Sequence, residues 1–332
     1  MSRIKGIVLY SGGLDSILAA KILMEQEIEI TGLYCILPYY APHMNPEELD
    51  SSRLAEKNGL KLIFHRCGKE YIKMLKNPPH GYGKHINPCI DCKLFFMQKA
   101  ADLMNQMNAE FVATGEVVGQ RPMSQQKNTM IHIEKISGLK GRLLRPLSAK
   151  ILEPTIPELE GKIDRNSLLD ISGRGRKRQM ELAKLYGIDD YSAPAGGCLF
   201  TDKSYSIRVR DLFEFQKEIT ETDLYLLTIG RHLRINKNLK IIVARNEKES
   251  IELEKLILPG DSVIRPEFKG PSVYVKGIMD DKNINIILSI ISRYGKPAVG
   301  EDTVSIFSFD KTSKEIKTVA AIEDDKLNTM RI

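Results

Sequence analysis

The sequence predicts an α/β protein: a parallel sheet covered by helices, followed by a second, smaller mixed α/β domain. Three observations carry this. Strand-length apolar runs alternate with helically spaced apolar residues over residues 1–115. A serine-glycine turn separates the first run from the first helical segment. Near residue 206 the composition changes, and a new series of strand-like and helical stretches begins.

The first strand is expected at 4–10, an apolar run interrupted only by Lys5 and Gly6. A helix at 15–26 follows, announced by Leu14, Ile17, Leu18 and Ile22 at helical spacing. Next come a strand at 28–37, a helix at 46–58 ended by Asn58-Gly59, and a strand at 60–65. A proline- and glycine-rich loop at 77–88 leads to a helix at 90–107, whose apolar face reads Phe96, Ala100, Leu103, Met104 and Met107, and then to a strand at 110–114. Strict alternation argues for parallel strands with ligands beyond their carboxyl ends. Residues 115–205, rich in Gly, Pro and Arg, read as a helical and loop-rich extension around the site. In the second domain, strands are expected at 224–229, 239–244, 261–265, 271–276 and 303–308, with helices at 246–257 and at 283–293, the latter closed by Gly295. The expected domains are 1–165, an extension at 166–205, and 206–332.

At 332 residues the chain has room for two domains. No run approaches the ~20 apolar residues of a membrane span. Residues 1–10 enter the first strand directly, without a signal peptide, which reads as a cytoplasmic protein away from membranes. The net charge of +6 is concentrated: residues 135–184 hold 12 Lys and Arg against 6 Asp and Glu. A local positive excess suits a polyanionic partner, against a solvated basic face as the plainer account. Five cysteines, an odd number without a secretion signal, argue against a disulfide framework. Cys35 and Cys67 fall in or beside apolar runs and read as core fillers.

The turn is Ser11-Gly12-Gly13-Leu14-Asp15-Ser16. A glycine turn feeding a helix aims backbone N–H groups and the positive end of the helix dipole at one point, so an anion belongs there. Gly12 and Gly13 admit close approach, Ser11 and Ser16 add hydroxyls, and Asp15 is a candidate Mg²⁺ ligand. The turn lacks the Gly-Lys-Ser/Thr ending of the P-loop. It resembles the SGGxDS signature of the ATP-pyrophosphatase, or PP-loop, superfamily. That resemblance implies ATP cleaved between its α- and β-phosphates, with adenylation of a substrate carbonyl oxygen.

Asn87-Pro88-Cys89-Ile90-Asp91-Cys92-Lys93 sits at a helix start, where the dipole favours thiolate. Far downstream, Pro194-Ala195-Gly196-Gly197-Cys198 places a third cysteine on a glycine-rich loop. This pairing is similar to that of the tRNA 2-thiouridylases, which are PP-loop enzymes that exchange a uridine oxygen for sulfur. Ala113-Thr114-Gly115 also resembles their Ala-Thr-Gly, which assigns Gly115 to the nucleotide. Two positions depart from the pattern: Cys89 stands where the relatives carry a non-cysteine residue, and Glu116 where they carry His. Cys89, Cys92 and Cys198 together resemble the iron–sulfur-dependent tRNA thiolases, implying a [4Fe–4S] cluster on three thiolates. A persulfide route through two of the cysteines stays open, as does zinc with His85 as a further ligand. Lys93 and Arg121 are candidates to balance phosphate charge, Ser124 and Gln125 weaker ones.

Arg174, Arg176, Lys177 and Arg178 form the densest basic cluster and are expected to contact RNA. Gly230-Arg231-His232-Leu233-Arg234 and Ala244-Arg245-Asn246-Glu247-Lys248-Glu249 resemble two signature segments of the NFACT-type RNA-binding domain, bringing Arg231 and Arg245 to the same partner. Gly270-Pro271 and Arg293-Tyr294 match less distinctively. The resemblances imply an ATP-dependent tRNA sulfurtransferase using ATP, Mg²⁺ and the cluster, with tRNA and a sulfur donor (sulfide or a persulfide carrier protein) as partners. A homodimer stays open. The rivals are a PP-loop ligase for a small carboxylate and a non-catalytic RNA-binding module.

Overall fold

The computed structural model describes residues 3–191, 198–299, 302–308 and 313–332. It divides into two compact units, Met1–Thr201 and Asp202–Ile332. Among the described residues, no helix is long and apolar enough to cross a membrane.

The first unit runs β1 (Lys5–Leu9), α1 (Leu14–Met24), β2 (Glu29–Ile36), α2 (Asp50–Lys57), β3 (Lys61–Arg66), α3 (Lys69–Lys76), α4 (Cys89–Gln106), β4 (Phe111–Thr114), α5 (Lys127–Ile136), β5 (Leu143–Leu144), α6 (Ile156–Leu159) and α7 (Lys177–Leu185). Its five strands are all parallel, in the order β3-β2-β1-β4-β5. Alternate residues of β1 serve opposite faces, as the two-residue period of a strand requires. Val8 packs with Leu14 and Leu18 of α1 and Ala183 of α7. Ile7 packs with Met97, Ala100 and Met104 of α4 and Ile133 of α5.

The second unit runs α8 (Lys203–Phe215), α9 (Glu221–Leu226), β6 (Arg231–Asn236), β7 (Leu239–Val243), α10 (Glu247–Lys255), β8 (Asp261–Pro266), β9 (Val273–Gly277), α11 (Asp281–Gly295), β10 (Thr303–Ser308), β11 (Ser313–Lys317) and α12 (Asp324–Thr329). Its six strands are antiparallel, in the order β11-β10-β8-β9-β7-β6. Ile241 and Val243 join Ile287, Ile291 and Leu327 on one face. Ile242 and Tyr274 join Leu226 and Leu253 on the other.

Several expectations are corrected. The strand expected at 224–229 is helical instead, because Thr220 and Asp223 form a capping box that starts α9. The helix expected at 46–58 begins with a 3-10 turn at Pro46–Glu48, and α2 starts only at Asp50. The buried face of α4 is Phe95, Met97, Ala100 and Met104 rather than one led by Phe96, which lines a cavity instead. The last turn of α11 is closed not by Gly295 but by Lys296, in left-handed conformation at φ 54°. β5, β6 and β11 fall outside the expected strands: β5 is only two residues long, and β6 and β11 are polar at their ends.

One position shows how tightly β1 meets β4. A Cβ added to Gly6 would lie 2.4 Å from Cζ of Phe111, its register partner and a fully buried ring. Gly6→Ala is expected to destabilise the protein by about 1–3 kcal/mol through overpacking, measured by urea unfolding. Adding Phe111→Leu to Gly6→Ala should recover part of that loss; strict additivity of the two would contradict the contact.

Candidate active site

Between β1 and β4 the chain's connections leave in opposite directions, β1 towards β2 and β4 towards β5. That is the switch point of a parallel sheet, where a crevice opens beyond the carboxyl ends. The serine-glycine turn leaves β1 there. Gly12 sits at φ 75°, a conformation only glycine adopts without strain, and Gly13 is extended and precedes α1. Ser16 Oγ donates to the Gly13 carbonyl at 2.8 Å, and the Ser11 amide donates to Ser16 Oγ at 3.3 Å, which closes the turn on itself. No side chain caps α1, so its first amides keep no side-chain acceptor. Gly115 leaves β4 opposite this turn. A Cβ there would lie 2.4 Å from the Asp15 carbonyl carbon and oxygen and 2.6 Å from the Ser16 nitrogen. The Ala-Thr-Gly segment is therefore steric in origin: only a hydrogen fits against the start of α1.

A cavity of about 220 Å³ opens at this point, lined by Ser11, Asp15, Ser16, Lys93, Glu116 and Arg121. Gln120 Nε2 donates to Asp15 Oδ2 at 3.1 Å. Among the described residues, Asp15 Oδ1 is buried without a hydrogen-bond partner, and the guanidinium of Arg176 stands 3.9 Å away with its own Nε likewise buried and unpartnered. A buried carboxylate oxygen beside a helix N-terminus fits a cation that also touches a phosphate.

Glu116 forms the floor. Burial opposes its ionisation, but Lys93 and Arg145 together hold its carboxyl below the usual range. Lys93 Nζ donates to Oε1, Arg145 Nε donates to Oε2 at 3.3 Å, and Arg145 Nη1 reaches on to Glu134 at 2.8 Å. The structure thus gives this position, where the resembling enzymes carry His, a structural charge to balance.

Two of the three thiols stand on a helix that borders the cavity. Cys89 and Cys92 occupy the first turn of α4, and Lys93 and Phe96 of the same helix line the cavity. The buried Asp91 between them accepts from the His80 amide at 3.0 Å and pairs with its ring at 2.7 Å, pinning the preceding loop. Cys89 Sγ donates to Ser124 Oγ at 3.2 Å, next to Gln125 of the cavity wall. The Ile86 amide donates to the Phe200 carbonyl at 3.3 Å, which tethers the segment after Cys198 to the loop before Cys89. Residues 192–197, including the glycines ahead of Cys198, lie outside the described residues.

The helix start does not lower the Cys92 thiol as expected. Burial pushes it up; a 3.2 Å contact with the Tyr71 hydroxyl pulls the other way, and Cys198, Cys89 and Cys35 oppose further negative charge. Burial also raises Cys198, Cys89 adds to this, and Arg121 partly offsets it. Arg121 thus lines the cavity and acts electrostatically on a thiol. The donors are of the kind an iron–sulfur cluster takes. Among the described residues, however, no three His, Cys, Asp or Glu side chains converge at metal-binding spacing, His85 included. A cluster on all three requires the thiols to draw together.

Of the basic residues, Arg174, Lys177 and Arg178 are exposed, and Arg178 pairs with Asp170 at 2.7 Å. Arg176 instead turns inward to Asp15. In the second unit Arg231 lies 5.1 Å from the Tyr294 ring centroid and donates to the Ala244 carbonyl at 3.4 Å, so three of the singled-out segments meet. Arg245 pairs with Glu249 on α10. Sequence reasoning missed Gln120, Arg145 and Tyr71, which no motif marks; only the geometry brings them to the site.

The fold defines a parallel five-stranded α/β unit whose first turn carries the Ser-Gly-Gly-Leu-Asp-Ser pattern, followed in the chain by a second α/β unit with an antiparallel sheet. Residues 230–331 match the family of the NFACT protein RNA binding domain. The chain resembles curated tRNA-thiolation proteins. It is 28% identical over 131 residues to the tRNA-specific 2-thiouridylase MnmA of Pelotomaculum thermopropionicum, covering 35% of each chain. It is 26% identical over 177 residues to a probable tRNA sulfurtransferase of Methanosarcina acetivorans, covering 51% of this chain and 37% of that one. The chain therefore spans little more than a third of the length of these relatives. Among solved structures, a 4-thiouridine synthetase–RNA complex with bound ATP aligns at 21% identity and TM-score 0.41, covering 60% of this chain and 45% of that one. The U34-tRNA thiolase NcsA of Methanococcus maripaludis, with its [4Fe-4S] cluster, aligns at 15% identity and TM-score 0.31, covering 68% and 69%.

Glu116→Gln is expected to cost roughly 3 kcal/mol at neutral pH, because it leaves Lys93 without its counter-charge and Arg145 with Glu134 alone. A carboxyl held below its usual range stabilises the fold above the unfolded pKa of about 4.3, and that contribution is lost as pH falls. Urea unfolding of the wild type and the variant should therefore converge on acidification; a constant gap would contradict the assignment.

Proposed function

We propose that this protein is an ATP-dependent tRNA sulfurtransferase. It adenylates a uridine carbonyl oxygen at the cavity between β1 and β4, then replaces that oxygen with sulfur handled by Cys89, Cys92 and Cys198. The observation that supports the proposal is the placement of Cys89 and Cys92 on the first turn of α4, the same helix whose Lys93 and Phe96 line the cavity between β1 and β4. The relatives named above and the RNA-binding family match support the same reading.

The turn Ser11–Ser16 and the amides of α1 receive the phosphates, and Gly115 keeps the cavity open against Asp15. Asp15 is suited to hold Mg²⁺, which supplies charge neutralisation at the phosphates when bound. Arg176 and Arg121 stand where charge develops on the departing pyrophosphate. The uridine oxygen bonds to the α-phosphorus as the bond to pyrophosphate breaks. A sulfur nucleophile then adds to the activated carbon, and the carbon–oxygen bond breaks, carrying the original oxygen away in AMP.

If the donor is hydrosulfide, no redox change occurs. If it is a persulfide on one cysteine, a second thiol attacks the inner sulfur and leaves a disulfide that an external dithiol must reduce. A [4Fe–4S] cluster on the three thiols is the proposed sulfur-binding group. Arg174, Lys177, Arg178, Arg231 and Arg245 are the proposed RNA contacts, the cytoplasm the proposed location.

Anaerobically purified protein is expected to show the broad visible absorption of an iron–sulfur cluster, and its pyrophosphate release should depend on tRNA. A colourless protein with RNA-independent release would instead favour a ligase for a small carboxylate. Mass spectrometry of tRNA nucleosides from a deletion strain should show one thiolated nucleoside missing, restored by wild type but not by Cys198→Ser. Restoration by the variant would contradict the role of the third cysteine.

A further inference from the structure

The second unit contains a larger cavity, of about 470 Å³, bounded by α8, α9 and the sheet face of β6, β7 and β9. Its floor is a row of charges running across four neighbouring strands. Arg234 of β6 is in register with Lys240 of β7, Lys240 with Lys276 of β9, and Lys276 with Asp261 of β8. Like charges side by side on one sheet face destabilise it, and burying them costs more.

Two helix carboxylates hold the row together. Asp211 takes Arg234 through two contacts of 2.9 and 2.6 Å and Lys240 at 3.0 Å. Asp223 takes Lys276 at 2.6 Å, and Asp261 takes it at 3.3 Å. These bonds do not exhaust the donors. A lysine ammonium carries three and a guanidinium five, whereas Lys240 makes one hydrogen bond and Arg234 leaves its Nη1 unused among the described residues. The cavity therefore offers spare N–H donors alongside carboxylate acceptors.

The walls are of another character. Phe215 stacks under the Arg234 guanidinium at 4.4 Å and is still 39% exposed. Ile278, at the lip, is 81% exposed. Lys237 lines the rim, is exposed, and has no ion-pair or hydrogen-bond partner among the described residues. A flat apolar wall, a floor of donors and acceptors, and a free cation at the mouth match the three parts of a nucleotide: a base face, a base edge and a phosphate.

We propose that this cavity receives one nucleotide of single-stranded RNA, the base stacked at Phe215 with its edge on the Arg234–Lys240–Lys276 row, and the adjoining phosphate on Lys237. The proposal rests on the reading of this protein as RNA-binding and adds a base-holding pocket that neither the basic cluster nor the Arg231 and Arg245 segments supply.

The test uses the full-length protein without ATP, so its result is independent of pyrophosphate release or thiolation. Binding of fluorescein-labelled hexauridylate is followed by anisotropy for wild type, Lys237→Glu and Phe215→Ala, with thermal melting as the control for folding. Phe215→Ala should weaken binding about tenfold. Lys237→Glu should weaken it comparably and flatten the salt dependence by roughly one phosphate contact. Photocrosslinks from 4-thiouridine-substituted hexamers should map to peptides containing Phe215 or Ile278. Should Phe215→Ala lower the melting temperature, Lys237→Glu and the crosslinks decide the matter, since Lys237 supports no packing. Unchanged affinity in Lys237→Glu, crosslinks confined to other peptides, or uridine monophosphate binding where the hexamer does not, would each overturn the proposal.

Discussion

Where β4 ends, its backbone passes so close to the first turn of α1 that no carbon can stand between them. The space at Gly115 is set by the Asp15 carbonyl and the Ser16 amide, neither of which can move without dismantling the helix start. Much of the first unit follows from that approach. It brings the exits of two adjacent parallel strands together and leaves the α1 amides facing the crevice. It also sets Glu116, the next residue, into the floor, where Lys93 of α4 and Arg145 must neutralise it. The charge network is thus a consequence of the backbone approach, and it fixes α4 against the same floor.

Because α4 is held there, its first turn carries Cys89 and Cys92 to the side of the nucleotide cavity. Two electrostatic influences compete at these thiols. A helix N-terminus contributes a partial positive charge that decays within one turn, while burial disfavours the thiolate outright. At Cys92, burial and the neighbouring sulfurs win over the Tyr71 hydroxyl contact. At Cys198, burial wins over Arg121. Burial therefore disfavours the thiolate at both positions.

The serine-glycine turn, the parallel sheet and the helix start at the cysteine pair were legible in the sequence because each is local: a glycine step, an apolar period, a helix start. What was not legible depends on side-chain contacts, one of them local and the rest between distant segments. The strand expected at 224–229 became α9 because two side chains, Thr220 and Asp223, cap a helix strongly enough to override an apolar run. Arg176 read as one member of a basic cluster, yet its neighbours Arg174 and Lys177 face solvent while it reaches Asp15. The role of Glu116 needed the fold as well, since Lys93 and Arg145 come to it from 23 and 29 residues away. The charge row of the second unit appears in the sequence only as scattered lysines and aspartates, and strand register alone lines them up.

The central claim is that ATP is spent on the oxygen of a nucleobase. It is tested most directly by following that oxygen. With tRNA carrying ¹⁸O at its uridine carbonyls, a single turnover with ATP and a sulfur donor should place one ¹⁸O in the phosphate of the AMP formed, for each thiolated nucleoside produced. AMP free of ¹⁸O, in a reaction that still thiolates the tRNA, would contradict adenylation of the base and with it the role assigned to the cavity between β1 and β4.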